Sequence, residues 1–319
     1  MGVERSELVE LAEGGVLLVS RALDAGWPRR SLSRRLREEG WSPIRAGVWG
    51  EPGLDLGLRV RLKAVQSLEP RLVVSHRSAT ALWRIEACSG PARGSAVLEF
   101  VDPGLTLRRA GSGVRVHRVP LAPGDTTERQ GLRVTTVART LADLLRAGPR
   151  DDALVAVESA WSRRKVDHVR RAPLTTPAAL SAALEAPLLG AGRARHWLEL
   201  ADPTSGSPAE TIARLRMYDA DLHPETQAEL ITPGGRRRFL DFFFRTEGLA
   251  VEVEGYAYHG TRESHRRDIT RFNEVLQCPE VRTLLRFTAE DVFHRPARMI
   301  EEIRAALARL RPGSAQPNG

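Results

Sequence analysis

Apolar positions along the chain recur with two different periods, and the places where the period changes mark its organisation. Residues 1–12 (MGVERSELVELA) read as a short helix. In the next segment Leu17, Leu18, Ala22 and Leu23 recur at helical spacing, and the run ends at Gly26. Pro28 then stands at a first helical position, with Leu32 and Leu36 on one side and Arg29, Arg30, Ser33, Arg34 and Arg37 on the other faces. A stretch from Trp41 to Trp49, broken by Pro43 and Gly47, completes the order helix, glycine turn, arginine-rich helix, wing. That is the outline of a winged helix-turn-helix over 1–60. Its arginines would meet DNA phosphates and guanine edges; an ordinary solvated charged face is the alternative.

From 61 to 200, short valine-rich segments bounded by Gly and Pro (RLVVSH, AVLEFVDP, VRVHRVP, LRVTT) alternate with helical ones (SATALWRI, VARTLADLLRAG). They predict a mixed α/β middle domain, mainly helical after 151. His76 and His117 stand singly there and read as structural or surface residues. Residues 201–207 (ADPTSGS) have linker composition, and 312–319 should be a disordered tail. Residues 205–311 read helix, strand, strand, strand, helix, strand, helix. The whole is a multi-domain α/β protein, and no internal repeat points to a solenoid.

The chemistry concentrates in that last region. In RRFLDFFF, Asp241 is an acid within a strand that is apolar on both faces, so it needs a cation or a proton. In LAVEVEG, Glu252 and Glu254 point the same way and repel each other unless something positive lies beside them. Converging carboxylate oxygens are what Mg²⁺ requires. The turn decides whether Asp241 joins them. A two-residue turn sets Asp241 opposite Glu254, on their face, whereas an unbulged three-residue loop sets it opposite Val253, on the other. Ser207-Pro208-Ala209-Glu210 forms a helix-capping box, and Glu210 is equally a further metal ligand. In the following helix Ile269, Phe272 and Leu276 make an apolar stripe. Asp268 and Arg271 are spaced for a surface ion pair; alternatively Arg266, Arg267 and Arg271 face a phosphate. Arg286 ends an apolar strand within reach of the acids, and Met299, Ile300, Ile303 and Leu307 face a core.

Composition narrows the partners. With 319 residues, 42% hydrophobic and 28% charged, the chain can bury a sizeable core and is neither a disordered tail nor a small stapled scaffold. Its 48 basic and 40 acidic residues give a formal charge of +8, which favours a polyanion. All the basic residues except Lys63 and Lys165 are arginine. Genomic base composition explains part of that skew, but guanidinium also suits bidentate phosphate contact. Cys88 and Cys278 match neither a disulfide framework nor a zinc module. No stretch reaches 18 apolar residues, and the first 20 residues carry acids where a signal peptide would carry a basic region. A soluble cytoplasmic protein without membrane contact is expected, with DNA as partner and a homodimer as an open alternative.

The run Asp241, Glu252-Val253-Glu254-Gly255, His259, Arg266-Arg267-Asp268 with Arg271, and Leu285-Arg286-Phe287 resembles endonuclease-like proteins of the PD-(D/E)XK superfamily, close to Vsr-like DNA endonucleases. The likeness covers roughly residues 205–310. The N-terminal segment resembles the winged helix of AbiEi-type antitoxins. The first resemblance implies a restriction-endonuclease-like α/β domain with a mixed sheet, in which Asp241 and Glu252 hold Mg²⁺ or Mn²⁺ and orient the attacking water. The superfamily's lysine two residues after the second acid is replaced by Glu254, so His259, at Vsr-like spacing from Gly255, is the candidate base. The expected catalytic set is therefore Asp241, Glu252, Glu254 and His259, with Glu210, Asp241 and Glu252 as metal ligands. A regulator of antitoxin type whose nuclease-like domain no longer cuts is the alternative function, and an RNA-directed nuclease is a third.

Overall fold

Leu32 and Leu36, one helical turn apart on an otherwise arginine-rich segment, are both buried and organise the N-terminal elements. The computed structural model describes residues 7–88, 97–106, 111–166, 168–254 and 262–311, the side chains of 262–268 excepted. Thirteen helices and fourteen strands occur among the described residues, a mixed α/β protein with several sheets. They form two compact units, one of residues 1–84 with 91–143 and the other of 85–90 with 144–319. The expected middle segment, 61–200, thus divides between them. Among the described residues no helix is long and apolar enough to cross a membrane.

The first unit begins with α1 (Glu7–Glu10), β1 (Val16–Leu18), α2 (Val19–Asp24), α3 (Arg29–Glu38), β2 (Ser42–Arg45) and β3 (Val48–Gly50). Leu17 and Leu18, expected on a helix, lie in β1, which pairs with β3 to make a three-stranded sheet ordered β1-β3-β2. Leu8, Leu17, Ala22, Leu32, Leu36 and Trp41 form one core. Pro28 is the N-cap of α3 and not its first residue, and Arg29, Arg30, Ser33, Arg34 and Arg37 are all exposed.

The unit continues with α4 (Leu58–Leu68), β4 (Val73–Val74), α5 (His76–Trp83), β5 (Leu98–Val101), β6 (Val114–His117), β7 (Thr126–Arg129), β8 (Leu132–Thr135) and α6 (Val137–Ala147), whose last turn belongs to the second unit. The five strands make a mixed sheet ordered β6-β5-β4-β8-β7. Leu62, Val65, Ala79 and Leu82 of the helices cover Phe100, Leu132 and Val134. The two single histidines meet here. Their rings stack with centroids 3.6 Å apart, and His76 Nδ1 lies 2.9 Å from Ser75 Oγ. Burial, then the neighbouring His117, pushes His76 down to about 3, so His76 packs uncharged near neutral pH.

The second unit contains α7 (Arg150–Trp161), a hairpin of β9 (Arg164–Val166) and β10 (Val169–Arg171), α8 (Pro177–Leu184), α9 (Ala191–Leu198), α10 (Pro208–Asp219), β11 (Glu225–Ile231), β12 (Arg237–Phe244), β13 (Leu249–Glu254), α11 (Arg262–Leu276), β14 (Thr283–Thr288), α12 (Ala289–His294) and α13 (Pro296–Leu310). Its main sheet runs β11-β12-β13-β14, antiparallel except for the parallel pair β13 and β14. Ala228, Leu230, Leu240, Phe243 and Ala250 pack against Val275 and Cys278, at and just beyond the end of α11. That corrects the stripe expected on α11. Ile269 and Leu276 are 47% and 53% exposed, and the buried ridge runs through Val275 and Cys278. Met299, Ile300, Ile303 and Leu307 are buried on α13 as anticipated.

The helices after 150 belong with this sheet because α7 grips α10 through a buried charge. Glu158, fully buried, accepts the Asp202 N–H at 2.9 Å and the Thr211 hydroxyl at 2.6 Å and pairs with Arg214. Asp202 in turn accepts the Thr226 hydroxyl at 2.7 Å. One acid on α7 thereby fixes the start of α10, the 201–207 segment and the first residues of β11. Removing one partner of a buried pair leaves the other charge uncompensated. Glu158→Ala should therefore destabilise the second unit by about 3–5 kcal/mol in denaturant unfolding. A loss below about 1 kcal/mol would mean that Arg214 finds water instead.

Candidate functional site

Asp241 lies where the backbone pairing of β12 with β13 gives out. The ladder pairs Phe244 with Leu249, Phe243 with Ala250 and Phe242 with Val251. Continued one step, it sets Asp241 level with Glu252, on the same face. Neither turn length considered from sequence occurs. Residues 245–248 make a four-residue connection closed by the Gly248 N–H on Phe244 O at 2.9 Å. Gly248 has φ +68°, and a Cβ there would stand 2.7 Å from Glu280 O, so glycine is required. The extra residue relative to the three-residue loop restores the shared face. Beyond the last ladder pair, Asp241 Oδ2 accepts the Val253 N–H at 2.8 Å, a side chain substituting for a strand partner.

Two further elements bring polar groups to this point. Gln227 of β11 has φ +47°, rare for a residue with a side chain, and Thr226 and Ala228 on either side keep their pairing with Phe242 and Leu240. Its Nε2 donates to Glu210 Oε2 at 3.1 Å and to Asp241 Oδ1 at 3.3 Å. Glu210 serves as the capping residue and also faces the other acids. Its N–H caps onto Ser207 Oγ at 3.2 Å, while its carboxylate turns back to Gly206 N–H at 2.6 Å and to Gln227. The box is thus closed through Gly206 rather than through Ser207. From α11, Arg271 Nη2 donates to Glu252 Oε1 and Oε2, both at 3.1 Å, and to Phe239 O at 2.8 Å.

Two buried carboxylates, Glu210 and Glu252, and the half-buried Asp241 therefore share one locality, with the Arg271 guanidinium bonded to Glu252. Glu210 is pushed up to about 7 by burial and then by the charge of Asp241. Glu252 is pushed up to about 8 by burial and by Asp241, against the pull of Arg271. Burial also raises Asp241, opposed by the Val253 N–H and by Arg271. Carboxylate oxygens gathered at one point are the donor chemistry of Mg²⁺ or Mn²⁺. As placed, the acids stand open: among the described residues no group of three or more His, Cys, Asp or Glu is arranged to hold a metal ion. They interact as charges with the Gln227 amide and the Arg271 guanidinium lying among them. The set fits a divalent cation in kind, and closing on one requires these two side chains to yield.

The chain matches no protein-family model and no curated protein.

The remaining predicted residues distribute as follows. Glu254 is engaged by Arg286 from the neighbouring strand, apart from Gln227, which bridges Glu210 and Asp241, and from Arg271, which holds Glu252. Arg286 also lies over the Phe272 ring at 3.7 Å. His259 and the side chains of Arg266, Arg267 and Asp268 fall outside the described residues. Arg271, expected on Asp268 or on a phosphate, is instead on Glu252. Gln227 was missed, since an amide in ETQAELI carries no period or motif. Only its place directly across from Asp241 in the hairpin register would have singled it out.

The acids make stability pH-dependent in a defined direction. Their ordinary value is 4.5, and the folded chain holds Glu210 and Glu252 at about 7 and 8. The folded state thus binds more protons than the unfolded one in between, so this contribution is complete below 4.5 and is lost as pH rises through 7 and 8. In chelator, Glu252→Gln should flatten the decline, by up to about 1.4 kcal/mol per pH unit, and be the more stable protein at about pH 9. Parallel unfolding curves from about pH 5 to about pH 9 would mean that the folded chain does not hold Glu252 above its ordinary range.

Proposed function

We propose that the chain is a DNA-binding, metal-dependent endonuclease that hydrolyses phosphodiester bonds. The convergence of Glu210, Asp241 and Glu252 from three separate elements, beside the strained Gln227, carries this reading. It agrees with the PD-(D/E)XK, Vsr-like resemblance of the C-terminal region and with a restriction-endonuclease-like sheet. Asp241 and Glu252 would hold Mg²⁺ or Mn²⁺, with Glu210 as a further ligand. An ion held there would supply a more acidic bound water and offset negative charge developing at phosphorus. The Val253 N–H fixes the orientation of Asp241, and Gln227 spaces Glu210 from Asp241. In the first unit, α1 to β3 would serve as an AbiEi-like winged helix, with α3 entering the groove and Arg29, Arg30, Ser33, Arg34 and Arg37 meeting the backbone.

One observation favours a second reading. Glu254 fills the position of the superfamily lysine and is itself occupied by Arg286, so an acid and not an activating cation stands there. A DNA-binding regulator of antitoxin type with a silent nuclease-like domain would look the same.

Incubating the protein with supercoiled, linear and mismatched DNA in Mg²⁺ or Mn²⁺ decides between them. A nuclease cuts at least one substrate, and Asp241→Ala reduces the rate by two orders of magnitude or more, roughly the scale of losing a principal electrostatic group. Equal activity in the two proteins would reject the catalytic assignment. A regulator shows no cutting but binds its own promoter with an affinity that survives Asp241→Ala. Replacing Arg29, Arg34 and Arg37 by alanine should then lower the log–log salt slope by about 0.9 for each phosphate no longer neutralised.

A further inference from the structure

Arg271 is held in a way that invites exchange. A guanidinium meets a carboxylate most strongly with two nitrogens side by side on two oxygens. Here one nitrogen, Nη2, spans both Glu252 oxygens at 3.1 Å and also reaches Phe239 O. Glu252 is almost fully buried, whereas the Arg271 side chain is 37% exposed, so the cation reaches inward from the edge of the site. Among the described residues, the other nearby cations are committed elsewhere: Arg286 to Glu254, Arg238 and Arg236 to Glu274, and Arg164 to Glu86. Arg271 is the described cation bonded to Glu252. A divalent cation needs the same two oxygens, and both cannot use them fully.

We propose that Arg271 is a transferable counter-charge: a divalent cation displaces it from Glu252, and the released guanidinium takes a phosphodiester oxygen of the substrate. This rests on the metal-site reading above and adds an order to it. Without DNA, moving Arg271 off Glu252 costs it that anionic partner, so metal binds weakly. With a phosphodiester at hand the guanidinium exchanges one anion for another, and metal binds more tightly. Metal and nucleic acid then promote each other's binding by one common factor, as linkage requires. The arrangement would hold the acids inert until both are present.

The test is Mn²⁺ binding to the full chain, read by electron paramagnetic resonance of the free ion, with and without a short phosphorothioate duplex and corrected for the duplex alone. For the wild type the duplex should tighten Mn²⁺ binding by roughly five- to 150-fold, the usual span of coupling between sites. Arg271→Gln keeps a donor for Phe239 O. It should bind Mn²⁺ about tenfold more tightly than the wild type without DNA, and the duplex should add little. Arg271→Lys, which retains the charge, should restore part of the duplex effect and guards against a folding defect in the glutamine variant. If Arg271→Gln binds Mn²⁺ no better than the wild type, or keeps the full duplex effect, Arg271 merely braces Glu252 and the exchange is wrong. Asp241→Asn separates the two levels of the argument. If it loses Mn²⁺ while the arginine variants behave like the wild type, the metal site stands and the exchange falls. If it binds Mn²⁺ as the wild type does, or the wild type binds none, the metal site itself fails.

Discussion

Keeping three carboxylates close together away from water is the constraint around which the C-terminal half is arranged. Each would prefer solvent or a proton, and their mutual repulsion grows as the dielectric falls. The chain meets this with fixed donors: Gly206 N–H and Gln227 for Glu210, Val253 N–H for Asp241, and Arg271 for Glu252. They come from different elements, so the β11 to β13 register, the cap of α10 and the position of α11 are coupled through the acids. The buried Glu158 network ties α7, the 201–207 segment and Thr226 into the same frame. A fold that gathers three acids at one point retains them at a cost in stability, which is why the cluster reads as a candidate site.

The strain at Gln227 belongs to the same account. A left-handed residue inside a strand costs on the order of 1–3 kcal/mol and persists only when its surroundings over-determine it. Here the neighbouring pairs Thr226 with Phe242 and Ala228 with Leu240 stay in register, so the distortion is confined to the residue across from Asp241. Without the amide between them, Glu210 and Asp241 would face each other with nothing to donate.

How much of this could be read in advance depends on whether the signal was local. Asp241 and Glu252 were legible because an acid in an apolar strand breaks a period-two pattern. The exposed arginines of α3 were legible because Leu32 and Leu36 define the opposite side. The stacking of His76 on His117 was not, because it joins the start of α5 to β6 of a mixed sheet whose order the sequence leaves open. The same holds for Gln227 and for the bond from Arg271 to Glu252, which depend on register and on how α11 lies across the sheet. The four-residue connection at 245–248 was missed for a different reason. Turn residues narrow loop length without fixing it, and Gly248 is required by a close approach to Glu280 that is remote in sequence.

The formal excess of +8 takes on a more specific meaning once the pairs are known. In the second unit some of the arginines are engaged with buried or half-buried carboxylates, among them Arg214 on Glu158 and Arg238 on Glu274. They hold the fold and add little to its external field. On α3 the pairs run along the helix surface, Arg34 with Glu38 and Arg35 with Glu39, and contribute only a few tenths of a kcal/mol each. The same residue type therefore does two jobs set by burial: locked guanidinium where the partner is inside, available guanidinium where it is not. Arg271 stands between the two cases, with a buried partner and a side chain that is itself partly exposed.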